Sequence, residues 1–174
     1  MRVVAGTLGG RRIEAPAGMD TRPTTDRVRE AVFNSLASFG VVEGALVADL
    51  YAGSGAMGIE ALSRGAEHCT FVERDRKALD VLRRNLESLG LTQRSTVIAG
   101  AAMSALSRLH CDIVIADPPY DVDEWVPLMT GLDAPMLVAE AAREVVPEPG
   151  WRTSRSKRYG RTWITVLERE EGPA

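Results

Sequence analysis

The 174-residue sequence lacks several features that define whole classes of proteins. No apolar run approaches the roughly 20 residues needed to cross a membrane, and the first residues lack the apolar core of a signal peptide. There are only two cysteines, Cys69 and Cys111, and no Cys/His cluster has metal-ligand spacing. These absences predict a cytoplasmic protein without a membrane partner or a metal, whose cysteines are buried free thiols within strands.

Aromatic residues are also scarce, at 5%, but the hydrophobic share of 45% and the charged share of 26% are ordinary for a globular protein. The length suffices for one domain with a sizeable core and leaves no comfortable room for two. We expect a small basic β-hairpin extension over residues 1–22, one domain over residues 23–174, and a monomer.

The net charge of −3 disfavours a nucleic-acid partner, yet the charge is unevenly distributed. Residues 1–30 hold six basic and four acidic side chains, and residues 151–169 hold six basic and one acidic. Basic ends on an acidic body predict that both ends lie on one surface facing a polyanion, although two solvated hairpins with incidental charge would give the same pattern. The candidate RNA-binding residues are Arg2, Arg11, Arg12, Arg22, Arg27, Arg155, Lys157, Arg158 and Arg161.

The hydrophobic pattern after residue 45 alternates between short buried strands and helices. This alternation predicts an α/β fold with a mostly parallel sheet covered on both faces. A hairpin at 2–6 and 11–15 and a helix capped by Thr24 or Thr25 come first. Strands are predicted at 45–50, 69–73, 96–99, 113–116 and 136–140, helices at 56–64, 75–89, 102–109 and 123–129, and an antiparallel hairpin at 152–157 and 162–168.

A glycine-rich loop follows the first of these strands. Gly53, Gly55 and Gly58 form a G-x-G-x-x-G pattern between a strand and a helix, where bare backbone lets a ligand come close. Glu73 ends the next strand, where a carboxylate can accept both ribose hydroxyls. The pattern suits NAD, a nucleoside cofactor without a pyrophosphate, or a simple tight turn. Asp49 opposes a pyrophosphate and favours the positive amino-acid end of S-adenosylmethionine.

The fourth strand runs into Asp117-Pro118-Pro119-Tyr120, at the edge where such sheets bind ligands. The prolines fix the backbone and leave the Pro118 carbonyl able to accept a hydrogen bond. A carboxylate, a rigid carbonyl and an aromatic face suit an amino group on a planar base, and hydride transfer by NAD needs none of them. We therefore predict a methyltransferase acting on an exocyclic amino group, with these four residues as its catalytic motif. Guanine offers N1–H and N2–H to one carboxylate, but some adenine enzymes carry the same motif.

Five segments together resemble the RsmD family of small-subunit ribosomal RNA guanine-N2 methyltransferases. They are Arg22–Asn34 (R-P-T-T-D-R-V-R-E-A-V-F-N), Ala52–Gly55, Ile59–Ala66, Asp117–Tyr120 and Arg158–Thr162. The resemblance covers nearly the whole chain, and the R-P-T-T-D-R-V-R-E block is its most specific part. It implies a Rossmann-like methyltransferase fold with a seven-stranded sheet ending in an antiparallel hairpin. It also implies methylation of N2 of the guanine at position 966 of 16S rRNA, in an assembling 30S subunit.

S-adenosylmethionine is the expected cofactor. The predicted cofactor-binding residues are Thr24, Asp49, Tyr51, Gly53, Ser54, Gly55, Glu73, Arg74, Ala101, Ala102 and Asp117. The family usually has Asp or Asn after the third strand to hold the adenine amino group, whereas Gly100-Ala101-Ala102 offers only backbone groups and packing.

Two other functions remain open. A DNA adenine-N6 or cytosine-N4 amino methyltransferase would favour a separate target-recognition domain, for which the chain has no room. A non-catalytic RNA-binding module would not need Asp117 and Tyr120.

Overall fold

The computed structural model describes residues 1–15, 26–119 and 124–170, which form one sheet with helices on both faces. Its strands are β1 (Leu46–Leu50), β2 (His68–Glu73), β3 (Ser95–Ala99), β4 (Ile113–Ala116), β5 (Met136–Ala141), β6 (Trp151–Tyr159) and β7 (Thr162–Arg169). Its helices are α1 (Asp26–Phe39), α2 (Ala56–Ser63), α3 (Arg76–Ser88), α4 (Ala102–Ala105) and α5 (Trp125–Gly131).

The seven strands lie in the order β3-β2-β1-β4-β5-β7-β6. Strands β1 to β5 are parallel, and β7 runs antiparallel between β5 and β6. The predicted Rossmann-like sheet with its antiparallel C-terminal hairpin is therefore confirmed. The order reverses between β1 and β4, so the carboxyl ends of those strands open a crevice at which such sheets bind ligands.

Most predicted elements are present, with three differences. The helix expected at 102–109 is the single turn α4 followed by a 3₁₀ turn at Leu106–Arg108, and α5 covers Trp125–Gly131 rather than 123–129. Cys69 is a buried free thiol in β2, as predicted, but Cys111 is only half-buried and precedes β4. The expected caps Thr24 and Thr25 lie outside the described residues.

The sheet separates two apolar cores. One core packs beneath α1, α2 and α3 and includes Phe33, Phe71 and Ile115. The other packs beneath α4 and α5 and includes Trp125 and Trp151. Each parallel strand contributes to both cores because its side chains alternate between the two faces, which is why apolar residues predominate in these strands on both faces.

The N-terminal segment forms a short hairpin that packs onto the first core. The Val3 amide donates to the Arg11 carbonyl at 2.9 Å, and one antiparallel bridge joins Arg2 to Arg12. The pairing is shorter than predicted because the amides of Val4 and Ala5 donate instead to the Glu60 carboxylate, at 2.7 and 3.0 Å. The domain boundary expected at residues 22–23 falls among residues that the structure does not describe.

Glu60 belongs to a buried ionic cluster beneath this hairpin. Its carboxylate lies 3.5 Å from the Arg29 guanidinium and 2.7 Å from that of Arg64. Arg29 also donates to Asp26 at 2.8 Å and to the Arg2 carbonyl at 2.5 Å. Arg29 is 1% exposed, so this basic residue of the N-terminal region is unavailable to a polyanion.

Candidate active site at the carboxyl edge of the sheet

A cavity of about 630 Å³ opens at the carboxyl ends of the parallel strands. The structure brings nine of the eleven predicted cofactor-binding residues to its wall: Asp49, Tyr51, Gly53, Ser54, Glu73, Arg74, Ala101, Ala102 and Asp117. Thr24 lies outside the described residues, and Gly55 does not line the cavity. Several lining residues were not predicted, among them Met1, Arg29, Met57, Met103, Glu124 and Glu140.

The glycine loop turns sharply between β1 and α2. Gly55 has a φ of 81°, and a Cβ atom there would meet Leu82 Cδ1 at 2.4 Å. A Cβ at Gly58 would meet Phe71 Cε1 at 2.3 Å and Cys69 Sγ at 2.5 Å. Gly55 therefore has a turn-forming role, its contact with the cofactor stays a prediction, and Gly58 lets α2 pack closely on β2.

Asp49 lies at the base of the loop, almost completely buried in β1. Its Oδ2 accepts a hydrogen bond of 2.8 Å from the Gly58 amide, near the N-terminus of α2. The pKa of Asp49 is raised to about 8, chiefly by burial; the Gly58 hydrogen bond lowers it, and the nearby carboxylates of Asp117 and Glu73 add to the rise. A cationic ligand in the cavity would favour the ionised form of this carboxyl group.

Glu73 closes the loop from the end of β2. Its Oε2 accepts from the Gly53 amide at 2.8 Å, and its Oε1 accepts from the amides of Arg74 and Asp75 at 2.7 and 2.8 Å. A carboxylate offers about four acceptor sites. These three bonds leave capacity for about one more, so the expected acceptance of both ribose hydroxyls would require one backbone bond to lengthen.

The side chain of Tyr51 contacts Glu124 at the cavity wall, and Glu124 was not predicted from the sequence as a site residue. Tyr51 follows β1 with a φ of 60°, a conformation that costs a non-glycine residue energy. Its hydroxyl donates to Glu124 Oε2 at 2.5 Å, just before α5. Burial and this contact raise the pKa of the Tyr51 phenol. This hydrogen bond joins the cofactor loop to the segment after the Asp-Pro-Pro motif. The two residues are 73 positions apart in the sequence, so no local pattern could predict the contact.

The Asp-Pro-Pro motif lines the same cavity, directly after β4. Asp117 is half-buried, Pro118 is buried, Pro119 is exposed, and all three line the cavity. Tyr120, the fourth predicted catalytic residue, lies outside the described residues. The Gly100-Ala101-Ala102 segment borders the same cavity after β3, and the Gly100 amide donates to the Glu73 carbonyl at 2.8 Å.

Asn85, a second missed residue, connects the N-terminal hairpin to the glycine loop. It lies on α3 and is 1% exposed. Its Oδ1 accepts from the Glu14 amide at 2.9 Å, and its Nδ2 donates to the carbonyls of Glu14 and Ser54 at 3.0 and 2.9 Å. A buried amide on the inner face of an amphipathic helix is the only sequence feature that could have indicated it.

The two basic ends of the chain both contact α1. Arg155 of β6 donates to Ser35 Oγ at 3.0 Å and covers the Phe39 ring at 5.6 Å, while the N-terminal hairpin meets α1 through Arg29. Eight of the nine predicted RNA-binding residues are described, and all eight are exposed: Arg2, Arg11, Arg12, Arg27, Arg155, Lys157, Arg158 and Arg161. The ninth, Arg22, lies outside the described residues. Among the described residues, no group of three or more His, Cys, Asp or Glu side chains could hold a metal ion, and none of the helices could cross a membrane.

The fold and this cavity define the class of S-adenosylmethionine-dependent methyltransferases with a Rossmann-like sheet, as predicted. Residues 1–168 match the family described as Conserved hypothetical protein 95. The chain belongs to this family, which is the expected RsmD family.

Relatives and solved structures agree with that membership. The chain is 39% identical to "Putative rRNA methyltransferase YlbH" of Bacillus subtilis, covering 97% of this chain and 99% of the relative. It is 35% identical to "Ribosomal RNA small subunit methyltransferase D" of Escherichia coli, covering 98% of this chain and 90% of the relative. A solved structure described as "Putative methyltransferase yhhF from Escherichia coli" is 33% identical, with a TM-score of 0.86 over 99% of each chain.

Proposed function

We propose that this protein methylates the exocyclic N2 amino group of a guanine in 16S rRNA, at position 966, within an assembling 30S subunit. The observation that carries the proposal is that Asp117, Pro118 and Pro119 face the same cavity as the glycine loop and the acidic ends of β1 and β2. A target amino group and a nucleoside cofactor can therefore meet in one enclosed space.

The residues of the cavity fit S-adenosylmethionine in charge and shape. Asp49 supplies a buried carboxyl group for a positive end, Glu73 keeps one acceptor site for a ribose hydroxyl, and Ala101 and Ala102 leave a wall without bulky side chains. When bound, the cofactor supplies an electrophilic methyl group: the N2 lone pair forms the new C–N bond, the S–C bond breaks with its electron pair remaining on sulfur, and N2 loses one proton.

Asp117 and the Pro118 carbonyl accept hydrogen bonds from the two N–H groups of N2 and turn its lone pair toward the methyl donor. The Asp117 carboxylate also stabilises the positive charge that develops on N2 during transfer, which is electrostatic preorganisation. Asp117 or water then takes the proton. Tyr120 provides a stacking surface for the target base, which must leave its own stack to reach the cavity.

The basic ends hold the RNA around the cavity. Arg11, Arg12, Arg155, Lys157 and Arg158 contact phosphates. Both ends pack against α1, the C-terminal hairpin through Arg155 and the N-terminal hairpin through the Arg2 carbonyl, which Arg29 of α1 binds.

The test is transfer of a labelled methyl group to small-subunit particles from cells lacking the protein, followed by mass spectrometry of the product nucleosides. We expect N2-methylguanosine from the wild type. Asp117→Ala should reduce single-turnover transfer at least 100-fold while changing binding of S-adenosylhomocysteine little, and Tyr120→Phe should retain most activity that Tyr120→Ala loses. Full activity of Asp117→Ala with saturating particle would contradict the proposed role of Asp117.

A further inference from the structure

We propose that Glu140 selects guanine as the target base by accepting a hydrogen bond from its N1–H group. The inference rests on the proposed guanine-N2 methylation and adds the residue that reads the base. Glu140 is the last but one residue of β5, it was not predicted as a site residue, and it lines the same cavity as Asp117.

The sheet register places Glu140 beside Asp117. Ala116 of β4 is the partner of Ala139 of β5, so Asp117 and Glu140 are the next pair along these two parallel strands. Neighbouring strands lie about 4.8 Å apart. The preceding residues, Ala116 and Ala139, point into the core beneath α4 and α5, so alternation directs Asp117 and Glu140 to the opposite face, where both reach the cavity.

Glu140 is held more rigidly than a loop residue. Its strand is paired on one side with β4 and on the other with β7, where Ile164 is its partner. The side chain is 5% exposed. A buried carboxylate on a strand flanked on both sides has little freedom to move, so it can test the hydrogen-bonding pattern of a base that enters the cavity.

Guanine alone among the four common bases presents an amino group next to a ring N–H donor. If Asp117 and the Pro118 carbonyl hold N2, the adjacent N1–H points toward the neighbouring strand, where the Glu140 carboxylate accepts it. Adenine and cytosine carry an unprotonated ring nitrogen beside their amino groups. A carboxylate facing that lone pair would be repelled by it and would gain no hydrogen bond from the base.

The sharpest probe is 2-aminopurine, which keeps the 2-amino group of guanine but has an unprotonated N1. Wild-type protein should methylate particles carrying 2-aminopurine at the target position at least 100-fold less efficiently, in kcat/KM, than those carrying guanine, because the site is built around the missing donor. Glu140→Gln, whose amide can donate to an unprotonated N1, should narrow that preference at least tenfold. Glu144→Gln, an exposed change four residues along, is the matched control and should keep the wild-type ratio.

Four outcomes separate the possibilities. A preference narrowed by Glu140→Gln but not by Glu144→Gln supports the inference. Equal loss of both activities in Glu140→Gln overturns it, and so does a wild type that methylates 2-aminopurine as well as guanine, a result that does not depend on whether the variant folds. Wild-type product without N2-methylguanosine would instead refute the proposed function itself.

Discussion

Replacing Asp49 by Asn should stabilise the protein in a strongly pH-dependent way. The carboxyl group lies almost completely buried in β1, where burial raises its pKa from 3.8 to about 8. Asparagine has nearly the same shape, and its side-chain oxygen can keep the hydrogen bond from the Gly58 amide. The substitution therefore removes one titratable group while leaving the packing of the loop intact.

Proton linkage gives the sign and size of this pH-dependent change in stability. A folded-state pKa above the unfolded value means that the folded protein holds the proton more tightly, so this stability is present below about pH 4 and is lost as the pH rises through 8. At about 1.4 kcal/mol per pH unit, the advantage of Asp49→Asn should grow by about 4 kcal/mol between pH 5 and pH 8.5. For a domain of this size that is a relative gain in Tm of about 10 °C.

The same change should weaken binding of S-adenosylmethionine. A charge-assisted hydrogen bond is worth about 1.5–3 kcal/mol, so Kd at pH 8.5 should rise roughly 10-fold to 100-fold. Below the pKa of Asp49, a cationic ligand must first displace the proton, and wild-type affinity should therefore rise about fivefold from pH 7 to pH 8 and level off above that. The variant should show no such rise.

Thermal unfolding and isothermal titration calorimetry, each at pH 5, 7 and 8.5, measure both effects. Asp80→Asn is the control, because Asp80 lies on the exposed face of α3 and its side chain is 67% exposed. An Asp49→Asn variant whose gain in Tm is the same at pH 5 and pH 8.5 would show that burial does not shift this carboxyl group. Unchanged affinity for S-adenosylmethionine would remove Asp49 from the cofactor site.

Three further changes test the loop, its support and the basic ends. Gly58→Ala should lower the free energy of unfolding, measured by chemical denaturation, by about 1–3 kcal/mol because its Cβ would meet Phe71 Cε1 at 2.3 Å. Gly100→Ala is the control and should change this free energy little, because a Cβ at Gly100 would have nothing within 4 Å. Equal losses in the two variants would contradict the close-packing role of Gly58. Asn85→Ala should lower the free energy of unfolding by about 1–3 kcal/mol and raise the Kd of the cofactor, since the Ser54 carbonyl loses its hydrogen-bond donor. An unchanged Kd would mean that Asn85 supports folding but not cofactor binding. Replacing Arg11 and Arg12 together should weaken the salt dependence of RNA binding: the slope of log K against log salt concentration should fall in magnitude by roughly 0.7–0.9 for each phosphate that the hairpin no longer neutralises. An unchanged slope in a filter-binding titration would exclude the hairpin from the RNA interface.

Local patterns in the sequence were enough to predict the fold and one side of the cavity. The alternation of apolar strands and helices indicated the five parallel strands, because a buried parallel strand needs an apolar run and its crossover needs a helix. The two strands of the C-terminal hairpin were predicted separately, where this alternation ends. The glycine pattern, Asp49 and Glu73 lie within a single strand–helix–strand unit. The Asp-Pro-Pro-Tyr motif is contiguous, so its position after a strand could also be predicted.

Tertiary structure decided what depends on residues far apart in the chain. Glu60 accepts hydrogen bonds from the amides of Val4 and Ala5 and so shortens the hairpin. Arg29, one of the six basic residues counted in residues 1–30, is buried against that same carboxylate. The contact of Tyr51 with Glu124 spans 73 residues. Composition and periodicity carry no information about such partners, because the side-chain directions that bring them together are set by how the helices pack on the sheet.

The placement of Glu140 beside Asp117 also depends partly on the sequence and partly on the tertiary structure. The sequence by itself determined that Asp117 follows a buried strand and that Glu140 lies within one residue of a strand end, since apolar runs stop where the chain reaches the edge of the sheet. Only the register between β4 and β5 decided that the two side chains reach one cavity from adjacent strands. A shift of one residue in that register would have turned one of them to the opposite face, because side chains alternate along a strand with a period of two.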